Sequence, residues 1–202
     1  PASFGTYPRD GPGNVLAFGG YSGWRTDLND ESFGAFLPSY GAVNMDEADL
    51  ARVEDDDHLT EVFAHEIGHV LGLGTSSFWE SAVVESTPGD PRLRDYSSSG
   101  AWEQLGGAGE FPPVANVGAV ASTGVHWRES DLQLELMTPS LGIGIPGDRP
   151  LSILTLAFLA SFGYSLDLAD ADAFTLPEPT ASARVGVRAD EFKDGAFGPG
   201  VG

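Results

Sequence analysis

The strongest periodicity along the chain is helical. From Leu59 to Leu73, the apolar residues Phe63, Ile67, Val70 and Leu71 recur at the spacing that places them on one helix face, and these are expected to face the core. Asp56 or Asp57 is placed to cap the start, where acidic side chains suit the helix dipole, and Gly72 and Gly74 stop the run. Leu151 to Phe162 reads as a second helix, buried on several sides, with Ser152 as cap and Gly163 as stop. Asn14 to Gly19 and Gly41 to Met45 read as short strands. Asp46 to Asp57 is acidic and predicts a solvent-facing turn or short helix. Residues 75–125 carry Pro88, Pro91, Pro112 and Pro113 and predict a long connection, loop-like or weakly helical. His126 to Met137 is mostly polar, Thr138 to Gly147 is a Pro/Gly turn region, and residues 177–202 read as a tail or linker.

Composition sets the outer bounds. A chain of 202 residues can bury a substantial core as one domain, and its 27 glycines and 14 prolines imply many turns around few regular elements. The formal net charge is −20, with Lys193 the sole lysine, which argues against a nucleic-acid partner. A solvated acidic surface is the simplest reading of that charge. Cysteine is absent, so disulfides, thiolate metal sites and cysteine nucleophiles are excluded. The longest apolar run, Leu151 to Phe162, is too short to cross a bilayer. Pro1 to Asp10 has no apolar segment of the kind a signal peptide needs, and the opening on Pro1 predicts a mature form or an excised fragment.

The chemistry concentrates in His65-Glu66-Ile67-Gly68-His69, an H-E-x-x-H on the first predicted helix. Histidines four apart stand one turn above each other, so both imidazoles can reach one zinc ion. Glu66, beside the first of them, can take a proton from a water that the metal has acidified. A catalytic zinc usually has three protein ligands. The short form of the motif, with a histidine three residues past Gly72, fails because position 75 is Thr75. No downstream helix carries a glutamate with an aspartate four residues later. His126 is the one histidine downstream, 57 positions on; Glu80 or Glu85 is the alternative third ligand. His58 lies near the predicted helix start and reads as a surface or capping residue. Ser76, Ser77 and Ser97 to Ser99 have no triad partner. Gly41, Ala42, Val43 and Asn44 read as an edge strand that can pair with an extended substrate. Asp46 and Asp49 are candidate calcium ligands, with a solvated acidic turn the simpler reading.

His126-Trp127-Arg128-Glu129, followed by Glu135-Leu136-Met137-Thr138-Pro139, resembles the downstream half of a leishmanolysin-type peptidase. In that family of metzincins a long insertion separates the motif's glycine from the third zinc-binding histidine, and a methionine turn follows. Gly72 then matches the glycine, His126 the third ligand and Met137 the turn methionine, a hydrophobic floor beneath the zinc. Asp46-Glu47-Ala48-Asp49-Leu50 is similar to the family's acidic approach segment, and Pro150 to Tyr164 to its C-terminal helix. The absence of cysteine brings the match nearer to bacterial or archaeal branches, and the short region before His65 suggests a truncated chain.

The resemblance implies an α+β fold, metzincin-like: a small twisted sheet over an active-site helix, an irregular C-terminal subdomain and a second helix. Residues 1–176 would form the catalytic domain, with a cleft between about 1–74 and 75–176. The implied activity is zinc-dependent, secreted endopeptidase action on protein or peptide substrates, with one Zn2+ on His65, His69 and His126 and Glu66 as general base. Thr138 and Pro139 join Gly41 to Asn44 as expected substrate-binding positions. Trp127 and Arg128 read as packing and positioning groups. A catalytically degenerate adhesion module is the alternative outside enzymes.

Overall fold

The computed structural model describes residues 2–7, 12–13, 15–25, 37–55, 58–118, 122–140 and 148–178. The N-terminal part is a three-stranded sheet of β1 (Ala2–Tyr7), β2 (Ala17–Trp24) and β3 (Pro38–Asp46). The order is β1-β3-β2, with β1 parallel and β2 antiparallel to the central β3. On β3, Gly41, Val43 and Met45 are buried while Ala42 and Asn44 are half-buried, the alternation a pleated strand imposes when one face meets a core. Both strands run longer than the sequence predicts. Gly19 and Gly20 pair with Val43 and Ala42 through backbone alone, so no side-chain pattern marks that stretch.

Helix α1 (Leu50–Asp55) leads into α2 (Leu59–Val70), which lies on the sheet. Gly19 makes the close approach possible: a Cβ there would stand 2.2 Å from the Glu66 carbonyl oxygen. The helix ends at Val70, before the expected Leu73. Its buried face is Val62, His65, Glu66, Gly68, His69 and Val70. Ile67, expected in the core, is instead 37% exposed. It follows Glu66 by one position and so is turned by about 100° from a residue that points inward. Polar side chains occupy the inward face, which is why apolar periodicity misplaced Ile67.

Two expectations at the helix start also change. Asp56 and Asp57 lie outside the described residues. His58 holds the N-cap position without a side-chain capping bond and is buried, its Nδ1 4.0 Å from Glu61 Oε2. The acidic stretch holds the expected short helix, α1, and keeps Glu47 and Glu54 exposed, but Asp46 and Asp49 turn inward and are both fully buried. Asp46 Oδ1 accepts the Ala48 N–H at 2.9 Å, and Asp49 Oδ1 accepts from Gly13 N at 2.8 Å and Arg52 Nη2 at 3.1 Å. Their carboxylates fasten the end of β3 to α1 and to the Gly13 turn.

The expected long connection is built from short elements: α3 (Ser77–Ala82), the hairpin of β4 (Val83–Thr87) and β5 (Asp90–Leu93), and α4 (Tyr96–Gln104). Each is too short for periodicity to show. Their signals are local: Ser76 Oγ and Asp95 Oδ2 cap α3 and α4 by accepting from Trp79 N at 3.1 Å and Ser98 N at 2.8 Å. A single helical turn, α5 (Glu129–Leu132), precedes α6 (Ile153–Phe162), which is buried almost all round as expected and ends at Gly163 with φ 119°. Phe78, Trp79, Trp127 and Phe158 form the aromatic centre of this half, with ring centroids 4.9–5.9 Å apart. The second Asp95 oxygen accepts from Ser161 Oγ and ties the start of α4 to the end of α6. Among the described residues no helix is long and apolar enough to cross a membrane. Most of the Pro/Gly turn region (141–147) and most of the tail (179–202) lie outside them.

Candidate metal centre

Two of the histidines need only the helix. His65 and His69 stand one turn apart on the inward face of α2, with their Nε2 atoms 3.1 Å from each other. His126 needs tertiary structure. Gly74, at φ 73°, lets the chain at Val125 pass so close that a Cβ at position 74 would lie 2.0 Å from the Val125 carbonyl oxygen. The backbone around His126 is then pinned on both sides. Ala115 N–H donates to His126 O at 2.9 Å, and Trp127 N–H donates to Met137 O at 3.0 Å. Trp127 is fully buried and donates its indole N–H to Thr155 Oγ1 at 2.8 Å. Arg128 completes the brace: its guanidinium lies 2.6 Å from Asp90 Oδ1, 3.0 Å from Pro91 O and 3.1 Å from Val114 O. The Arg128 hydrogen bond holds the Asp90 carboxyl below its ordinary range.

This brace brings His126 Nε2 to 3.2 Å from His65 Nε2 and 3.0 Å from His69 Nε2. All three rings are buried. Each turns its other nitrogen to a carbonyl: His65 Nδ1 to Leu136 O at 2.7 Å, His69 Nδ1 to Leu73 O at 2.8 Å, His126 Nδ1 to Ser122 O at 3.1 Å. A carbonyl oxygen only accepts, so Nδ1 carries the proton in every ring and Nε2 presents a lone pair. Three lone pairs this close repel one another unless a cation stands among them. Three nitrogens each about 2.0–2.1 Å from a tetrahedral zinc are about 3.3 Å apart. The observed triangle of 3.0–3.2 Å therefore fits an ion of that size. Among the described residues this is the only group of three or more such side chains placed to share a metal ion.

The surroundings suit the group. Met137 is fully buried beneath the helix, and a Cβ at Gly68 would lie 2.5 Å from its sulfur, so that glycine makes room for the methionine between the two helical histidines. Glu66 is fully buried beside His65, under β2. Glu129, on α5, is pushed up to about 7, chiefly by burial, with a Thr138 hydrogen bond, the Ser140 N–H at 3.1 Å and the charge of Arg149 opposing the rise.

Comparison with known proteins agrees with this geometry. The leishmanolysin peptidase family matches residues 33–182. The chain belongs to the leishmanolysin family. The leishmanolysins of Leishmania donovani, Leishmania chagasi and Leishmania major are similar to it at 30%, 30% and 28% identity over 79%, 67% and 76% of its length. It spans about a quarter of the length of these relatives, the matches covering 26%, 23% and 26% of their own chains.

Within this leishmanolysin-family chain, several expected site residues lie elsewhere or act differently. Glu80 and Glu85 are solvent-exposed and outside the histidine group; Asp46 and Asp49 are fully buried and also outside it. Gly41, Ala42, Val43 and Asn44 are not an edge: β3 is central and its backbone pairs on both sides. Thr138 is fully buried, its hydroxyl 2.6 Å from Gln133 O and 2.9 Å from Glu135 O, so it shapes the turn after Met137 and offers a substrate no side chain. Pro139 beside it is half-buried. Sequence reasoning missed the close approaches at Gly19 on β2, Gly68 on α2 and Gly74 after the helix, because each is made to a residue far along the chain. It also missed Glu135, taken only as part of the turn motif.

Proposed function

We propose that this chain is the catalytic portion of a zinc-dependent endopeptidase, with His65, His69 and His126 holding the ion and Glu66 as general base. The observation that carries this reading is the buried triangle of Nε2 lone pairs, each fixed by a carbonyl on the opposite ring nitrogen. Zinc bound there supplies a Lewis acid that acidifies water and polarises a carbonyl. Glu66 takes the proton of the attacking water on its carboxylate and delivers it to the leaving amine. Burial of Glu66 among helix and strand keeps bulk water from competing for that proton. No covalent intermediate is needed. An extended peptide would pair along β2, since that strand lies over Glu66 and, among the described residues, bears a partner on one edge only. Met137 forms the floor of the metal site in a metzincin-like arrangement.

Metal analysis and casein digestion with and without chelator test this reading. The expected result is one zinc per chain, digestion that chelator stops, and a Glu66→Ala variant that keeps zinc and loses digestion. A zinc-loaded protein that leaves casein intact would overturn the peptidase reading in favour of a binding module. Turnover retained in Glu66→Ala would remove Glu66 as base.

A further inference from the structure

The peptide group joining Leu136 to Met137 is gripped from both sides. Its N–H donates to Glu135 Oε2 at 2.6 Å, and its carbonyl oxygen accepts from His65 Nδ1 at 2.7 Å. The Glu135 carboxyl is fully buried. Its other oxygen accepts from Ser152 N at 3.2 Å, Ser152 Oγ at 2.7 Å and Thr155 Oγ1 at 2.6 Å. The Thr155 hydroxyl receives the Trp127 indole N–H, so its own proton points to Glu135. Burial pushes the Glu135 carboxyl up, and the bonds from Thr155, Ser152 and Met137 oppose that. All four hydrogen bonds to the Glu135 carboxyl among the described residues come from donors, one to Oε2 and three to the other oxygen. The shell is therefore built for a carboxylate. A side chain that merely tied α6 to the turn could be a neutral amide and avoid the cost of a buried charge.

We propose that Glu135 is a positioning residue for the metal centre, acting on His65 through the 136–137 peptide. An anion hydrogen-bonded to the N–H of a peptide polarises it and makes its carbonyl a stronger acceptor. The Leu136 oxygen then draws harder on the His65 Nδ1 proton, which orients the ring and raises electron density at Nε2. His69 and His126 lean on Leu73 and Ser122 instead, so the effect is confined to His65. This inference rests on the zinc reading of the three histidines.

The test uses the zinc-loaded full chain, with zinc affinity measured by chelator competition and the imidazole N–H protons followed by NMR. In Glu135→Gln, zinc binding should weaken by about 10–100-fold, the cost typical of losing an outer hydrogen-bond partner of a metal ligand. The His65 Nδ1 proton should move upfield while those of His69 and His126 stay in place. Thr155→Val keeps the Met137 contact and should leave the His65 proton where it is. If Glu135→Gln does not fold, Glu135→Asp, which withdraws the charge from the Met137 N–H, should give the same selective shift. An unmoved His65 proton, or three protons moving together, would overturn the relay and leave Glu135 a structural tie. Failure of the wild-type chain to bind zinc would instead overturn the metal reading itself.

Discussion

Substituting Gly74 by alanine separates what places the third histidine from what stabilises the fold. The added Cβ would lie 2.0 Å from the Val125 carbonyl oxygen, and such contacts are essentially never shorter than 3.0 Å, so one backbone must retreat by about 1 Å (3.0 − 2.0). His126 is the next residue, and metal–ligand distances tolerate only about 0.2 Å. The substitution also puts alanine at φ 73°, which costs roughly 1–2 kcal/mol by itself. Gly89→Ala is the matched control: it sits at φ 77° with nothing within 4 Å of its added Cβ, so it carries the strain without the displacement. Both variants should melt lower, by about 2–4 °C for each kcal/mol lost. Only Gly74→Ala should weaken zinc binding, by about 100-fold or more, since a ligand is displaced outright. Chelator competition on the two variants and the wild type reads the difference. If Gly74→Ala binds zinc within about twofold of Gly89→Ala, the close approach at Val125 is not what delivers His126.

Two further outcomes follow from buried carboxyls. Glu129 is held near 7 against an ordinary 4.5, so between those values the folded chain binds more protons than the unfolded one. Its stabilising contribution is complete below about pH 4.5 and is lost as pH rises through 7. Glu129→Gln should therefore flatten the fall in melting temperature between about pH 5 and 8, and parallel profiles would show that Glu129 does not titrate there. Asp95→Ala removes the α4 cap and the acceptor for Ser161, and should destabilise the fold by about 2 kcal/mol with zinc affinity unchanged. A loss of zinc in that variant would mean the α4–α6 tie reaches the metal centre.

The sequence by itself determined the parts that depend on neighbours within one turn of chain. The spacing of His65 and His69 needs only a helix to place both rings on one ion, and the run from Ile153 to Phe162 is apolar enough to be buried whichever way it turns. The short run Gly41 to Met45 was enough to find β3, though not its central place, because strand order depends on partners far along the chain. Tertiary structure decided the rest. His126 reaches the helix because Gly74 has no side chain, Trp127 packs on Trp79, and Arg128 braces the hairpin, and no one of these contacts is local. The inward turn of Asp46, Asp49 and Glu135 was hidden for the same reason. A carboxylate looks solvated in a sequence, and only the donors that the fold assembles around it make its burial tolerable.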